Sequence, residues 1–276
     1  WSEQPSKMKS HNQDQSVTDK DLKATVEENL TVVKIRRIWH EMITGIRHIP
    51  PFYWLIMVSI ILFMFLLFVP ENVWIIFLGA LKSQKSLIVL VLIFALTTIS
   101  LVWSVGQQVD VWVFSYFNMH GRRRFWLDRL MLFFTQIGNG IFAMILAIIL
   151  YFSGRHFLAC GFVFGTLSLW LVVELIKVLV HRTRPYKKIE TSRIVGSQAR
   201  GCSFPSGHTS QSFFMATFLL HYYQVNFLIW LAIYLLAFFV GITRIYVGMH
   251  YPRDVLGGAM LGTAWGILGV ILNNSF

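Results

Sequence analysis

Long apolar runs separated by short polar breaks fill the chain after residue 50. A bilayer core about 30 Å thick is crossed by about 20 apolar residues in helical form. Since backbone polar groups must be satisfied within each segment and no run alternates with a period of two, we expect helices and not a barrel. The runs predict seven membrane spans, at 51–69, 86–105, 126–153, 157–180, 206–224, 226–247 and 252–272.

Shorter and more polar segments complete the pattern. Residues 1–30 have no apolar run and predict a mobile tail without a cleavable signal peptide. Residues 31–48 fit either an amphipathic helix on the membrane surface or a solvated leader into the first span. The apolar stretch 73–81 is too short to cross and follows Pro70, and the stretch 110–125 is amphipathic, so we expect both to lie at the interface.

The composition agrees with a membrane protein. Of the 276 residues, 55% are hydrophobic and 13% are charged, whereas a soluble domain has about a quarter charged residues. A soluble enzyme and a disordered protein are therefore excluded. The formal net charge is +11, and residues 1–50 carry 8 basic and 7 acidic groups, so the excess lies among the apolar runs. We expect anionic lipid headgroups or phosphates as partners, with no nucleic acid and no obligatory protein partner.

The two cysteines, Cys160 and Cys202, lie on opposite sides of one predicted span. With a rise of about 1.5 Å per residue, that span holds them too far apart for a disulfide, whose Cα atoms lie within about 7 Å. We therefore expect two free thiols. Because the sequence has no cluster of Cys and His and no pair of carboxylates, it predicts neither a metal nor another cofactor.

In the second half of the chain, ionisable residues cluster in three connections at the ends of predicted spans: Lys177–Pro185, Gly201–His208 and Thr243–Asp254. Counting the spans between them places all three connections at the same membrane face. In the first connection, Lys177 and Arg184 are seven residues apart. If the helix continues that far, two turns separate them and both side chains point to one side. An ammonium and a planar guanidinium on one side form a clamp for phosphoryl oxygens.

The second connection leads into a predicted span through Pro205, Ser206, Gly207 and His208. Ser206 is a suitable N-cap, and Gly207 lets the backbone approach a ligand closely. Free N–H groups at a helix start bind an anion. His208, in the first turn, can reach that anion as a proton donor.

The third connection joins the last two predicted spans. Arg244 and His250 would lie on different sides of a continuous helix, but Gly248 permits a turn between them. Pro252 fits the first turn of the final span. Asp254 follows His250 by four residues, where its carboxylate can accept the Nδ1–H of the imidazole. That bond would leave Nε2 as a nucleophile and stabilise the cation formed after attack.

Each connection taken singly has an ordinary explanation: cations that snorkel at a helix end, a simple helix cap, and a chance pairing of His with Asp. Their occurrence together at one face favours a phosphoryl-transfer site. There, three cations balance the charge on a pentacovalent phosphorus while one His attacks and the other protonates the departing oxygen.

Two details of the first connection stay open. Glu174 either holds Lys177 or faces a polar gap, because a carboxylate within a membrane is costly unless paired. The basic residues of the loop at 181–205 either attract headgroups or are simply solvated.

The spacings Lys-x6-Arg-Pro, Pro-Ser-Gly-His and Arg-x5-His-x3-Asp resemble the three-part signature of the type 2 phosphatidic acid phosphatase (PAP2) superfamily, and the chain looks like its bacterial integral-membrane lipid phosphatases. One departure is Thr243, where the family usually has Ser, and a hydroxyl is retained. The resemblance implies hydrogen bonds and charges to the substrate phosphate from Lys177, Arg184, Ser206, Gly207 and Arg244.

The same resemblance implies the catalytic roles. His250 would be the nucleophile that forms a phosphohistidine, His208 the general acid, and Asp254 the residue that orients His250. It also implies an all-α transmembrane bundle with six core spans, which we place at 86–272. The polar tail 1–30 and a segment at 31–85, with an amphipathic helix and an extra hydrophobic helix, would precede this core.

A site at the end of a helix bundle suits a substrate whose tail stays in the bilayer. We therefore expect hydrolysis of a lipid phosphate or diphosphate without a metal, with undecaprenyl diphosphate, phosphatidylglycerol phosphate and phosphatidic acid as candidates. A phosphotransferase that passes the group to a second lipid, and a non-catalytic lipid-phosphate binder or transporter, are the alternatives.

Two indications of orientation disagree. Basic residues before the first predicted span and at Arg122–Arg124 favour a cytoplasmic tail and a cytoplasmic site. The family resemblance favours a site on the outer face. With seven full spans the tail and the site share a side, so both usual expectations cannot hold. We expect a multi-pass protein of the plasma membrane with an extracytoplasmic site.

Overall fold

The structure is a computed structural model that describes scattered positions between 56 and 79 and the ranges 84–119, 124–223 and 225–274. The predictions for the tail at 1–30 and the segment at 31–48 lie outside the described residues. So does most of the predicted span at 51–69. The boundary of the core at 86 therefore stays a prediction.

Helices form the framework of the described residues, in which no strand occurs, so the prediction of an all-α bundle is confirmed. A 3₁₀ turn at Gln136–Gly138 interrupts the series. In chain order the helices are α1 (Lys85–Ser100), α2 (Ser104–Met119), α3 (Phe125–Thr135), α4 (Gly140–Phe152), α5 (His156–Val180), α6 (Pro185–Lys188), α7 (Gly207–Tyr223), α8 (Phe227–Tyr246) and α9 (Pro252–Asn274).

Three helical segments in the described part of the chain are long and apolar enough to cross a membrane: His156–Lys188, Phe227–Tyr246 and Pro252–Asn273. The pairs α1–α2 and α3–α4 reach that length only if each is taken as one bent span, which gives up to five. Helix α7 is not among these candidates. It carries buried hydroxyl and amide side chains, and Gln211, for example, donates to the hydroxyl of Thr166 over 3.1 Å.

The span predicted at 86–105 is interrupted before its end, because α1 stops at Ser100 and α2 lies at 95° to it. Hydroxyl groups in the last turn of α1 compete for its carbonyls, as when Thr98 donates to the carbonyl of Phe94 over 2.9 Å. The guanidinium of Arg253, far along the chain, binds the carbonyl of Ser100. The segment predicted to be amphipathic from residue 110 is thus the second half of a helix that begins at Ser104.

The span predicted at 126–153 is also broken. Its two helices, α3 and α4, are bent by 56° around the 3₁₀ turn. Asn139 caps the second helix, since its side chain accepts from the N–H of Ile141 over 3.3 Å. The bend brings Gly138 against α7, where a Cβ would lie 2.5 Å from the carbonyl oxygen of His208.

Helix α7 lies at the centre of the described bundle, and α9 packs closely along it. Three glycines at four-residue spacing, Gly258, Gly262 and Gly266, form the contact stripe on α9. A Cβ at Gly262 would overlap the carbonyl of Ser210 on α7. One turn after Ser210, Phe214 of α7 joins a buried cluster of aromatic rings with α5.

Asn118, at the end of α2, fastens the loop after α6 to the end of α8. Its amide nitrogen donates to the carbonyls of Arg193 and Tyr246, each over 2.8 Å, and its oxygen accepts from the N–H of Arg193 over 2.7 Å. Gly248 has φ +89°, and a Cβ there would overlap the carbonyl of Arg193. The turn predicted at Gly248 is therefore present, and it packs on this loop.

We expect Gly262→Ala to destabilise the protein, because the added Cβ collides with backbone that cannot move aside. Overpacking of this kind costs about 1–3 kcal/mol, which corresponds to a melting temperature lower by at least about 2 °C. The control is Gly140→Ala, since Gly140 has open space around it. Thermal unfolding in detergent measures both variants, and equal melting temperatures would contradict the packing of α9 on α7.

Candidate active site

The first predicted connection departs from a continuous helix. α5 ends at Val180, His181 adopts a left-handed conformation with φ 51°, and Arg184 is extended with φ −70° and ψ 150°. The residue before a proline disfavours helical backbone, and Pro185 follows Arg184. The prediction that Lys177 and Arg184 share a helix is therefore wrong. The orientation of the Arg184 side chain is set by the turn after α5 and not by helical spacing.

Arg184 is 3% exposed and is held by uncharged groups. Its Nε donates to the carbonyl of Gly201 over 3.1 Å, and its Nη2 to that of Arg200 over 3.0 Å. Nη1 donates to the carbonyl of Met249 over 3.1 Å and lies 3.2 Å from Nε2 of His250. These partners fix the guanidinium without neutralising it, so its positive charge is available to an anion.

Lys177 lies beside the start of α7. Its Nζ would be 3.9 Å from a Cβ at Gly207, and it forms an ion pair of 2.6 Å with Glu174. Glu174 therefore holds Lys177, which is the first of the two possibilities left open by the sequence. The pair is partly buried, and it leaves Lys177 within reach of the helix start.

Ser206 joins the starts of two helices. Its N–H donates to the carbonyl of Asp254 over 3.0 Å, and its hydroxyl accepts from that of Thr209 over 2.9 Å. Its own carbonyl accepts from the N–H of Ser210 over 2.9 Å, so α7 begins directly after it. The N–H groups of Gly207 and His208 consequently have no acceptor within the helix and can bind an anion.

His208 lies in the first turn of α7 and is half-buried. Four groups lie close enough to act on its charge: the side chains of Lys177, Arg184, Arg244 and His250. The first, second and third connections therefore meet around this imidazole.

Arg244 is buried in the last turn of α8. Its Nη1 donates to the hydroxyl of Thr135 over 2.8 Å, while its Nε has no partner among the described residues. A buried guanidinium N–H without an acceptor is costly, and an anion in the site would supply one. The neighbouring Thr243, which departs from the usual Ser, donates its hydroxyl to the carbonyl of Val240 over 2.7 Å.

His250 and Asp254 lie side by side without a direct hydrogen bond. The distance from Nδ1 to Oδ2 is 3.7 Å, longer than a hydrogen bond, and Nδ1 has no partner among the described residues. The nitrogen Nε2 faces the donor Nη1 of Arg184, so it must be the unprotonated nitrogen. The proton then lies on Nδ1, on the side of Asp254, and catalytic hydrogen bonds of this kind tighten when substrate binds.

Burial lowers the pKa of His250 to about 3. Asp254 opposes this shift, and the charges of Arg184 and Arg244 reinforce it. The imidazole is therefore neutral near pH 7, which is the form that a nucleophile requires.

Two residues important to the site were not predicted from the sequence, Arg182 and Asp110. Arg182 forms an ion pair of 2.5 Å with Asp254, and its other terminal nitrogen contacts Asp110, which is 1% exposed. Arg253 also binds Asp110, with Nε to Oδ2 at 2.7 Å. Arg182 therefore fits neither interpretation of the basic loop at 181–205, since it is not solvated and its charge is not available to lipid headgroups. The sequence did contain one indication of this pairing, because Asp110 is a carboxylate in an apolar helix and needs a partner.

Other groups complete the surroundings of Asp254. The hydroxyl of Ser203 donates to its carboxylate, as does the N–H of Tyr251 over 2.8 Å. Both cysteines are free, as predicted. Among the described residues no group of three or more His, Cys, Asp or Glu side chains is placed to hold a metal ion.

The sequence is similar to those of several known proteins. The sequence pattern of the PAP2 superfamily matches residues 158–275, which include all three connections. The chain is 30% identical over 146 residues to undecaprenyl-diphosphatase BcrC of Bacillus subtilis, covering 51% of this chain and 72% of that protein. It is 39% identical over 69 residues to lipid A 4'-phosphatase of Bacteroides thetaiotaomicron, a match that covers 24% of this chain and 29% of that protein.

A solved structure has the same fold. The transmembrane PAP2 type phosphatidylglycerolphosphate phosphatase from Bacillus subtilis superposes with a TM-score of 0.58 at 22% identity, covering 66% of this chain and 93% of the other. The matched sequence pattern and the 30% identity to BcrC over 72% of that protein identify the chain as a member of the PAP2 superfamily.

Proposed function

We propose that the protein is a membrane lipid phosphatase that removes a phosphate or diphosphate headgroup through a phosphohistidine, without a metal. The observation that carries this proposal is the distance of 3.2 Å between Nη1 of Arg184 and Nε2 of His250. A guanidinium that binds a phosphoryl oxygen there holds the phosphorus next to the nucleophilic nitrogen.

In the first step Nε2 of His250 attacks phosphorus, and the bond from phosphorus to the leaving oxygen breaks. His208 gives its proton to that oxygen, so the lipid departs as a neutral alcohol or a phosphate ester. Charge on the equatorial oxygens is balanced by Lys177, Arg184 and Arg244, and by the N–H groups at the start of α7.

In the second step His208, now neutral, takes a proton from water as the water attacks the phosphohistidine. The bond from phosphorus to Nε2 breaks, phosphate leaves, and both imidazoles return to their initial states. Asp254 stabilises the imidazolium of His250 between the two steps. Arg182 acts through Asp254 by holding its carboxylate in position.

Lipid is the natural class of substrate, because the site lies at the ends of α5, α8 and α9, which are long and apolar enough to cross a membrane. The name of the relative BcrC favours undecaprenyl diphosphate as the first substrate to test. Phosphatidylglycerol phosphate and phosphatidic acid follow. We place the protein in the plasma membrane with the site on the extracytoplasmic face, as the family resemblance implies.

Purified protein should release phosphate from these lipids in buffer that contains EDTA. His250→Ala should abolish the release, and Asp254→Asn should lower kcat by about 10³–10⁴-fold, as when Asn replaces the orienting Asp of a catalytic triad. His221→Ala is the control, since His221 lies at the other end of α7, where its Nδ1 contacts the carbonyl of Thr217 over 2.9 Å. It should keep wild-type turnover.

The same assay separates the alternatives. A phosphorylated acceptor lipid without free phosphate would indicate a phosphotransferase, and binding without turnover would indicate a non-catalytic binder. Substantial turnover by His250→Ala would remove the nucleophile assignment, and loss of wild-type turnover in EDTA would contradict chemistry without a metal.

The low pKa of His250 has a consequence for titration of the ligand-free protein. A His with its ordinary pKa of about 6.5 changes charge between pH 5 and 8, whereas His250 should stay neutral over that range and take up a proton only near pH 3. Nitrogen NMR of protein labelled at histidine measures this, with His250→Ala to assign the signal. A His250 signal that titrates near pH 6.5 would show that the ring is solvated and the site open.

A further inference from the structure

Asp110 lies on α2, outside the three connections that carry the proposed catalytic residues. It is 1% exposed, and with Phe114 and Asn118 it forms the buried side of this helix. The other side is exposed, as at Val109 and Trp112. A carboxylate in a membrane protein is unfavourable unless it is paired, and such groups commonly belong to a functional site.

Asp110 binds two arginines and has a fixed orientation. Its Oδ2 contacts Nη2 of Arg182 and accepts from Nε of Arg253 over 2.7 Å. Its Oδ1 accepts from the N–H of Arg253, near the start of α9, over 3.1 Å. Gly106 makes room for Arg253, since a Cβ at Gly106 would lie 2.7 Å from Nη1 of that arginine. Both oxygens of Asp110 are therefore occupied, and the carboxylate cannot turn away from Arg182 without losing these bonds.

Arg182 is shared between two carboxylates. Its Nη1 donates to Oδ1 of Asp254 over 2.5 Å, and its Nη2 donates to Asp110. A guanidinium beside a single carboxylate often binds it as a fork, with two parallel hydrogen bonds. Because Asp110 takes one of the two nitrogens, Arg182 binds Asp254 through one oxygen only.

The other oxygen of Asp254, Oδ2, faces His250. It lies 3.7 Å from Nδ1 of that imidazole, and it accepts from the hydroxyl of Ser203 and from the N–H of Tyr251, the latter over 2.8 Å. A carboxylate oxygen has about two acceptor sites. A second nitrogen of Arg182 at Oδ2 would therefore compete with the Nδ1–H of His250.

The balance of charge leads to the same requirement. Asp110, Asp254, Arg182 and Arg253 together carry two negative and two positive formal charges. Without the charge of Asp110, one positive charge would be in excess near His250, which itself becomes positive when it attacks phosphorus. Like charges repel more strongly in a buried site than in water. The charge of Asp110 therefore favours the imidazolium that the proposed attack forms.

We propose that Asp110 is a positioning residue for phosphoryl transfer, which holds Arg182 from α2 and so leaves Oδ2 of Asp254 to the imidazole of His250. The inference rests on the proposed function and deepens it. It adds to the mechanism a residue that contacts neither the substrate nor the nucleophile. A purely structural ion pair would stabilise the fold without controlling this oxygen.

Asp110→Asn tests the proposal, because it removes the charge and keeps the size of the side chain. We expect kcat for phosphate release from the candidate lipids to fall about 10²-fold, the effect of misplacing a reacting group by about 1 Å. KM should stay near the wild-type value, since the partners of Asp110 are not the proposed phosphate ligands. If this variant does not fold, Arg253→Gln is added to restore the balance of charge, and the same fall in kcat is expected.

Asp128→Asn is the matched control. Asp128 is also a carboxylate that binds an arginine, Arg193 at 2.9 Å, and it accepts from the hydroxyl of Tyr246 over 2.7 Å. In the described part of the chain, neither of these partners binds Asp254. The control should keep kcat near the wild-type value, and an equal fall in kcat for both variants would contradict a specific role of Asp110.

A double-mutant cycle separates positioning from general destabilisation. In the Asp254→Asn background, adding Asp110→Asn should lower the single-turnover rate by less than about threefold, because residues that act as a unit are not additive. A further fall of about 10²-fold in that background would show that Asp110 acts independently of Asp254, and the proposal would be overturned.

Nitrogen NMR of the ligand-free protein keeps the inference separate from the chemistry. In Asp110→Asn the Nδ1–H signal of His250 should shift from its wild-type position, whereas Asp128→Asn should leave it in place. If the wild-type protein turns over no lipid but this signal shifts, the proposed function fails and the coupling of Asp110 to His250 through Asp254 stands. If turnover is normal and Asp110→Asn changes neither kcat nor the signal, the positioning role fails alone.

Discussion

The buried carboxylate of Asp254 is the point on which the rest of the site depends. It is fully buried, and a buried charge is tolerated only when it is paired and hydrogen-bonded. Its partners come from separate parts of the chain: Arg182 after α5, Ser203 before α7, and the N–H of Tyr251 before α9. Satisfying this one group brings together the segments that carry the proposed catalytic residues.

Arg182 extends that constraint toward α2. Because it binds both Asp254 and Asp110, the position of the Asp254 carboxylate is coupled to α2, which lies at 95° to α1. Arg253 closes the network by binding Asp110 and the last carbonyl of α1. Removing one partner would leave an uncompensated buried charge, which is why such networks are rigid.

The sequence was informative where function depends on local chemistry. The order of the three connections, the turn at Gly248 and the start of α9 at Pro252 follow from residue type and spacing. The position of Arg184 could not be predicted from helical periodicity, because its guanidinium is held by the carbonyls of residues 200, 201 and 249, which are distant in the sequence. The pairing of Asp110 with Arg182 joins residues 72 apart, and no local pattern encodes such a distance. The turn after Ser100 could not be predicted either, because Arg253, which binds the carbonyl of Ser100, lies far along the chain.

In the proposed mechanism, the positively charged residues around His208 and His250 hold an anion and direct it to Nε2 of His250. Trapping the phosphorylated protein tests this most directly. Lipid substrate with a radiolabelled phosphate is mixed with enzyme, quenched in alkali within one turnover, and digested. The label should be alkali-stable, acid-labile and confined to the peptide that contains His250. Label on another residue, or single-turnover release of phosphate with no labelled protein at any time, would contradict the account.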